Sequence, residues 1–388
     1  MRTSFVASHL SDVPRSGIRD FFEIVSARKD VISLGIGEPN FTSPWHICEA
    51  SVFALEHGAT SYTSNLGLLS LRQAISEYAE TKFHAQYDPE TEILITVGVS
   101  EALDLAVRAV IDPGDEVLYH EPSFVSYAPV VTFSHGRAIA VPTSREEGFC
   151  LTRESLEAAV TERTRVLILN YPTNPTGAVL AQEDIEEVAD FAREHDLVVI
   201  TDEIYAELTF EGRHVSIASI PGMKDRTIFL HGFSKAWAMT GFRIGYACST
   251  PELTEAMMKI HQYTMMCAPI LAQKAALEAI LNGGEDVAFM RSEYEKRRNF
   301  ICSSFNEMGI PCDVPKGAFY VFPYIGEFGM SSRDFSLKLL DEKSVACIPG
   351  SAFGPSGEDF LRCSFAADLD TIKIATQRIG EFVSGLRT

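Results

Sequence analysis

Lys235 and Arg243 are the two residues of this sequence whose types and spacing point most directly to chemistry. They follow a short apolar strand that breaks at Gly232, and Gly241 stands between them. The same stretch holds the large apolar side chains Phe233, Trp237, Met239 and Phe242. Surroundings that are partly apolar and partly cationic disfavour the ammonium form of a lysine, so its amine becomes a nucleophile toward a carbonyl. Most lysines are solvated surface charges, but this neighbourhood indicates Schiff-base chemistry at Lys235, with Arg243 as an anion anchor.

A predicted helix start offers a place for that anion. The turn after the apolar strand 92–97 comprises Gly98, Val99, Ser100, Glu101 and Ala102. Free N–H groups at a helix N-terminus bind anions, although every strand-to-helix turn has this shape. Arg243 and Tyr62 would add donors, so we expect a phosphate pocket here. Tyr62 lies in a Ser/Thr/Asn/Gly loop and has the alternative interpretation of an ordinary surface tyrosine.

Arg362 is a further cation that needs an explanation, because it stands inside the apolar strand 360–365. Burying a guanidinium group without a partner is costly, so it requires a carboxylate. One interpretation is an ion pair within the protein. The other is bidentate capture of a ligand carboxylate, to which guanidinium geometry is well suited.

Three other residues that follow strands have ordinary interpretations when each is taken alone. Asp202 comes after the strand 197–201, where an acidic residue often only caps the next helix. Asn174 lies in Asn-Pro-Thr-Gly, which by itself is a common turn. Phe124 is typical of a core or a turn.

Two motifs are more specific. Ser234-Lys235 followed by MTGFRIGY at 239–246, together with Pro-x-Asn-Pro-x-Gly at 172–177, resembles the class I/II aminotransferases, pyridoxal-phosphate enzymes of fold type I. The resemblance runs from about Val31 to the C-terminus. It is closest to the branch that contains archaeal and bacterial aromatic and aspartate aminotransferases.

The resemblance implies how the cofactor, pyridoxal 5'-phosphate, would be held. Lys235 would bind it covalently and act as general base and acid, Asp202 would pair with its protonated pyridine nitrogen, and Phe124 would stack on its ring. The other cofactor-binding residues would be Gly98, Ser100, Glu101, Ala102, Asn174, Tyr205, Ser234, Arg243 and, from the neighbouring subunit of a homodimer, Tyr62.

The resemblance also implies roles for residues near the substrate, and the sequence departs from the family pattern at one position. Asn174 and Tyr205 would hydrogen-bond the phenolate oxygen of the cofactor. Arg362 would hold the α-carboxylate of the substrate, with Gly37 close to the same group. Gly232 stands where two branches of the family commonly have a serine that binds the phosphate, so Ser234 or other ligands would have to supply that contact.

A repeated order of elements must position these residues. Short Val/Ile/Leu strands, each followed by a turn and a helix, recur between residues 92 and 230 and indicate a mostly parallel sheet buried on both faces. In such sheets ligands bind beyond the carboxyl ends of the strands, so one crevice can collect the residues. Further strands are expected at 31–39, 316–323, 345–348 and 360–365, and long helices at 252–282, 285–308 and 369–386.

We therefore predict an α/β fold with a mixed, mainly parallel sheet of the seven-stranded type. Residues 1–34 would be an N-terminal arm belonging to the small domain, 35–281 a large cofactor-binding domain, and 282–388 a C-terminal α+β small domain. The second boundary is placed where Asn282-Gly283-Gly284 breaks a helical pattern. The helix predicted at 18–26 is either a docking arm or a lid over the substrate.

Composition excludes several classes of protein. A net charge of −20 opposes binding to nucleic acids and to anionic membranes. No apolar run approaches the roughly 18–20 residues that cross a bilayer, and the N-terminus lacks the apolar core of a secretory signal. The eight cysteines show no C-x-x-C pair or metal-ligand spacing. We expect a cytoplasmic protein without a structural metal.

The predicted activity is transfer of an α-amino group between an amino acid and a 2-oxo acid such as 2-oxoglutarate. No second arginine is identifiable that would clamp a dicarboxylate, and Ile18, Phe21 and Ile36 could line an apolar pocket. Aromatic donors are therefore favoured over aspartate, and a donor with a long polar tail, as in diaminopimelate metabolism, stays open. The alternatives are a pyridoxal-phosphate-dependent carbon–sulfur β-lyase and a non-catalytic regulatory protein that binds the cofactor. A nicotinamide dehydrogenase is disfavoured because no G-x-G-x-x-G follows a strand.

Overall fold

The computed structural model describes residues 5–26, 28 and 30–387. Its strands are β1 (Ile32–Ser33), β2 (Ile93–Thr96), β3 (Glu116–Glu121), β4 (Arg137–Pro142), β5 (Thr164–Leu169), β6 (Val198–Asp202), β7 (Thr227–Gly232), β8 (Gly245–Cys248), β9 (Tyr320–Val321), β10 (Val345–Ala346), β11 (Ile348–Pro349) and β12 (Leu361–Ser364). Its helices are α1 (Gly17–Ser26), α2 (Trp45–Glu56), α3 (Leu69–Phe83), α4 (Val99–Val110), α5 (Tyr127–Phe133), α6 (Arg153–Ala159), α7 (Gln182–Glu194), α8 (Pro251–Thr264), α9 (Ile270–Asn282), α10 (Gly284–Glu307), α11 (Ser332–Lys343) and α12 (Leu369–Leu386).

The main sheet has seven strands in the order β2-β8-β7-β6-β5-β3-β4. Strand β8 runs antiparallel to both of its neighbours, and the other pairings are parallel. Most strand residues are buried, as expected for a sheet covered by helices on both faces. The predicted α/β fold with a mixed, mainly parallel sheet is confirmed.

Two small sheets lie outside the main sheet. One has the order β11-β12-β9, and the other pairs β1 with β10 in parallel. The prediction of one strand at 345–348 was wrong, because Cys347 separates two short strands that pair with different partners. The strands predicted at 31–39 and 316–323 are also much shorter, at Ile32–Ser33 and Tyr320–Val321. Continuous apolar character there reflects burial, which irregular segments share with strands.

The helix predicted at 252–282 is two helices, α8 and α9. Met266 has a φ of 70°, which is incompatible with a continuous right-handed helix. Pro269 then stands at the N-cap of α9, where its lack of an N–H group costs nothing. The helix predicted at 369–386 is observed with those bounds.

The N-terminal arm is described only in part, since residues 1–4, 27 and 29 of the predicted segment 1–34 lie outside the described residues. Helix α1 buries Phe21 fully among apolar side chains that include Leu340 and Phe360. Ile18 and Phe22 are half-buried. Among the described helices, none combines the length and the apolar character that a bilayer crossing requires.

Candidate active site

A cavity of about 370 Å³ lies beyond the carboxyl ends of β2, β5, β6 and β7. These strands run in the same direction, so the residues that follow them meet at one edge of the sheet. Eleven of the predicted residues line the cavity: Ile18, Gly37, Ser100, Phe124, Asn174, Asp202, Tyr205, Ser234, Lys235, Arg243 and Arg362.

Lys235 projects from the loop after β7. Its Nζ donates a hydrogen bond to the carbonyl of Gly37 at 2.8 Å. Burial and the positive charge of Arg362 lower the pKa of Lys235 to about 8, and the carboxylate of Glu38 partly opposes that shift. The neutral, nucleophilic amine is thus accessible near physiological pH.

Asp202 ends β6 and is 6% exposed. Its Oδ2 accepts a hydrogen bond from the hydroxyl of Tyr127 at 3.0 Å, and its Oδ1 accepts one from the N–H of Ile204 at 3.3 Å. It does not cap a helix, because the next helical turn begins after Tyr205. No ion pair joins Asp202 to a cation within the described ranges, and burial raises its pKa to about 6. A buried carboxyl group of this kind favours a ligand that brings its own positive charge.

Arg362 lies in β12 and is 2% exposed. Its Nη1 donates to Asn174 Oδ1 at 3.0 Å and its Nη2 to the carbonyl of Gly35 at 2.6 Å. The rings of Tyr320 and Phe353 lie 4.5 and 4.9 Å from the guanidinium carbon. Its Nε has no hydrogen-bond partner in the described part of the chain, and no carboxylate there pairs with the group. The interpretation as an internal ion pair was therefore wrong.

Asn174 and Tyr205 lie on the side of the cavity next to Arg362. The N–H of Asn174 donates to Asn170 Oδ1 at 3.2 Å, which fixes the turn that carries it. The hydroxyls of Tyr205 and Tyr320 are 2.9 Å apart. A Cβ atom on Gly37 would come within 2.5 Å of the Tyr320 hydroxyl, so glycine is required for this approach.

The start of α4 faces Arg243. Gly98 has a φ of 78°, and the N–H groups of Glu101 and Ala102 return to its carbonyl at 3.2 and 3.3 Å. The N–H groups of Val99 and Ser100, the first two helical residues, form no such bond to a preceding carbonyl of the helix, and free N–H groups at a helix start can bind an anion. The Nη1 of Arg243 donates to the carbonyl of Thr240 at 3.0 Å, which holds the guanidinium beside the turn.

Gly232 has a packing reason to lack a side chain. A Cβ atom there would lie 2.9 Å from the Cα of Gly245 and 3.0 Å from a methyl group of Val99. Because the backbones of β7 and β8 meet so closely, a serine does not fit without a shift. Ser234 lines the cavity instead.

Four predicted residues do not line the cavity: Gly98, Glu101, Ala102 and Tyr62. The carboxylate of Glu101 accepts from the N–H of Val97 and lies 2.7 Å from Nδ1 of the buried His261. Ala102 packs in the core. Tyr62 is 79% exposed.

The apolar wall of the cavity differs from the one expected. Ile18 and Phe22 of α1 contribute, with Val99, Leu103 and Ile204. The expectation for Phe21 was wrong, because its fully buried side chain packs in the core with Leu340 and Phe360 and does not line the cavity. Ile36 is exposed and also lies outside the cavity lining.

Sequence reasoning also missed Tyr127, Asn170 and Tyr320, which hold Asp202, Asn174 and Tyr205. Asn170 had a usable signal, because it directly follows a buried strand like the other site residues. Tyr320 stands among other aromatic residues in KGAFYVFP, and its position opposite Ser364 is known only from the pairing of β9 with β12. Tyr127 begins a short helix and has no distinguishing local pattern.

The comparisons with known proteins agree with this geometry. The sequence pattern of the family described as aminotransferase class I and II matches residues 29–379. An aspartate aminotransferase of Pyrococcus abyssi is 44% identical over 96% of this chain and 97% of its own length. The solved aromatic aminotransferase of Pyrococcus horikoshii is 44% identical, with a TM-score of 0.91 over 95% of this chain and 99% of that one. The aspartate aminotransferase of Thermus thermophilus, solved with maleate, is 33% identical, with a TM-score of 0.93 over 98% of this chain and 100% of that one.

Proposed function

This chain belongs to the class I and II aminotransferases and has their fold type I architecture, and on that premise we propose that it transfers the α-amino group of an aromatic amino acid to a 2-oxo acid such as 2-oxoglutarate. The proposed cofactor is pyridoxal 5'-phosphate.

The side chains of the cavity fit this cofactor. The amine of Lys235 has a lowered pKa, and Asp202 is a buried acid that forms no ion pair with a cation among the described residues. A neutral lysine amine reacts with an aldehyde, and a buried carboxylate pairs with a protonated pyridine nitrogen, so the two side chains suit these two groups of the cofactor. The first turn of α4, Ser234 and Arg243 would hold the phosphate, and Phe124 would lie against the ring. When bound, the cofactor supplies an electron sink for charge that develops on the α-carbon of the substrate.

The observation that carries the proposal is Arg362, a buried guanidinium group with an unused Nε and no carboxylate partner among the described residues. A substrate carboxylate would satisfy it in the same cavity that holds Lys235. The substrate is then oriented so that Nζ of Lys235 can take the α-proton as general base and return a proton as general acid. Ile18 and Phe22 would exclude water from the substrate.

The same cavity favours an aromatic donor. Lys235, Arg243 and Arg362 are its cations within the described residues, and each already has a proposed role. None is left for a second carboxylate, whereas the apolar side chains of α1 suit a ring. Aspartate is the second candidate, because two of the three relatives named above are aspartate aminotransferases and one of these was solved with the dicarboxylate maleate.

A donor screen tests this proposal. Purified protein loaded with pyridoxal phosphate is mixed with one amino acid at a time, and loss of the visible absorption of the bound cofactor is followed. We expect phenylalanine and tyrosine to bleach it faster than aspartate, and the Lys235→Ala variant to show no bleaching. Fastest bleaching by aspartate would overturn the substrate assignment, and no bleaching by any amino acid would overturn the proposed reaction.

We further propose a homodimer in which Tyr62 reaches the phosphate of the neighbouring subunit. The exposure of Tyr62 supports a partner outside its own chain. Its loop is joined to α8 and α9 through Asn65, whose Nδ2 donates to the carbonyl of Met266 at 2.9 Å. Tyr263, Met265 and Met266, at and just before that connection in the sequence, are exposed apolar side chains. Clustered exposed apolar side chains are typical of an interface.

A further inference from the structure

Tyr127 makes the only side-chain hydrogen bond that the Asp202 carboxylate receives from the described residues. Its hydroxyl donates to Oδ2 at 3.0 Å, and the side chain is fully buried at the start of α5. The other oxygen, Oδ1, accepts a longer bond, from the N–H of Ile204 at 3.3 Å, and no other bond from the part of the chain that the structure describes.

The backbone of Asp202 is already fixed by other contacts. Its carbonyl accepts from Asn170 Nδ2 at 2.8 Å, and β6 pairs with β5 and β7 on its two sides. The terminal torsion of an aspartate side chain is soft, however, so the backbone alone does not set the plane of the carboxylate. A hydrogen bond to one of the two carboxylate oxygens sets that plane.

We propose that Tyr127 is a positioning residue that fixes the plane of the Asp202 carboxylate for the protonated ring nitrogen of bound pyridoxal phosphate. The inference rests on the proposed function, because the ring nitrogen belongs to that cofactor. Phe124 packs edge-on against Tyr127, with ring centroids 5.8 Å apart. The segment 124–127 thus supports both the face of the ring and the acid that would bind its nitrogen.

Electrostatics gives the same residue a second effect. The charged and titratable groups that act on Asp202 are Tyr127, Tyr205, Glu203, His231 and Lys235. Burial raises the pKa of Asp202 to about 6, and the Tyr127 hydrogen bond is the largest influence in the opposite direction. Loss of that hydroxyl therefore raises the pKa of Asp202 further and leaves more of the carboxyl group uncharged near neutral pH. The uncharged form cannot make an ion pair.

The test compares Tyr127→Phe with a matched control, Tyr246→Phe. Tyr246 is also buried, but its hydroxyl has no hydrogen-bond partner in the described part of the protein. Equilibrium binding is measured by fluorescence for pyridoxal phosphate and for its 1-deaza analogue, which lacks the ring nitrogen. Circular dichroism confirms that each variant is folded.

We expect Tyr127→Phe to weaken pyridoxal phosphate binding about tenfold, the value of one hydrogen bond to a charged group. Binding of the deaza analogue should change less than about twofold, because no charge pairs with Asp202 in that complex. The acidic limb of the pH dependence of pyridoxal phosphate binding should move to higher pH. Tyr246→Phe should leave both affinities and the limb unchanged.

Equal losses for the two ligands would show a general packing role and overturn the inference, as would unchanged binding of both. A second variant, Asp202→Asn, supplies an independent readout. In that background Tyr127→Phe should not alter the ratio of the two affinities, and a further tenfold change in the ratio would contradict the inference. Failure of the unmodified protein to bind pyridoxal phosphate would instead overturn the proposed cofactor as well, so the two failures are distinguishable.

Discussion

At the scale of single residues, the pKa of Lys235 is set by burial and by charged side chains, of which Arg362 and Glu38 are remote in sequence. Burial has the largest effect and lowers its pKa, and the positive charge of Arg362 acts in the same direction. Glu38 acts in the opposite direction because a carboxylate stabilises the ammonium form. Glu38 also lines the cavity and accepts a hydrogen bond from Thr240. The balance keeps the amine titratable at about pH 8.

The variant Glu38→Gln tests that balance. Loss of the carboxylate removes the influence that raises the pKa of Lys235, so the midpoint for its deprotonation should move to lower pH. The measurement is the pH dependence of amine labelling in the cofactor-free protein, quantified by mass spectrometry of the peptide that contains Lys235. The unmodified protein should show a midpoint at about 8.

Glu252→Gln is the control for this experiment. Glu252 is exposed on α8 and does not line the cavity, so its removal should leave the midpoint unchanged. A midpoint near that of an ordinary lysine, in the unmodified protein, would contradict the assignment of Lys235 as the activated amine.

At the scale of elements, the turn before α4 brings the first N–H groups of that helix close to the guanidinium group of Arg243. Gly98 has a φ of 78°, a conformation that glycine adopts readily and alanine does not. A Cβ atom at this position would also lie 2.8 Å from Nη2 of Arg243. The end of an arginine side chain is flexible and can move away, so the consequence is displacement of the guanidinium group.

We therefore expect Gly98→Ala to weaken pyridoxal phosphate binding by about tenfold or more, because a charged hydrogen bond to the phosphate is lost. The matched control is Gly114→Ala. Gly114 has a φ of 95°, and nothing lies within 4 Å of a Cβ atom there. Both variants should lose about 1–2 kcal/mol in the free energy of unfolding from backbone strain. Equal effects of the two substitutions on cofactor affinity would contradict the role given to Arg243.

At the scale of the whole molecule, a chain with a net charge of −20 gathers three cations around one cavity. The proposed homodimer would add Tyr62 from the partner, and a two-fold interface places the same contact in both sites. The division into an arm, a large domain and a small domain stays a prediction, since strand pairing by itself does not define a domain boundary.

Subunit mixing tests the contribution of Tyr62 across the interface. Lys235→Ala and Tyr62→Ala place their defects in different subunits of each site, so a hybrid dimer has one site with neither defect. Random mixing should then restore about a quarter of the unmodified activity, above the sum of the two separate variants.

Mixing Lys235→Ala with Asp202→Asn is the control. Both of these residues line the cavity of one chain, so every site of the hybrid keeps a defect and no activity should return. Additive activity in the first mixture would place Tyr62 in its own subunit or outside the site.

The amino-acid sequence by itself determined the fold class, the positions of most helices and strands, and the choice of Lys235 as the lysine proposed to be reactive. These features depend on local patterns, namely the alternation of apolar strands with helices and the motif around Lys235. Eleven of the residues predicted for the site line the cavity, and eight of them do so for the same reason, since they end or follow strands of the seven-stranded sheet. Ile18, Gly37 and Arg362 reach the cavity from other elements.

Only the tertiary structure decided which side chains meet. Arg362 and its acceptor Asn174 are 188 positions apart, and Lys235 and Gly37 are 198 apart. Glu101 turns toward His261, and Phe22 rather than Phe21 faces the cavity. Sequence periodicity describes the faces of single elements, whereas the partner of a face is fixed by packing between elements that are distant along the chain.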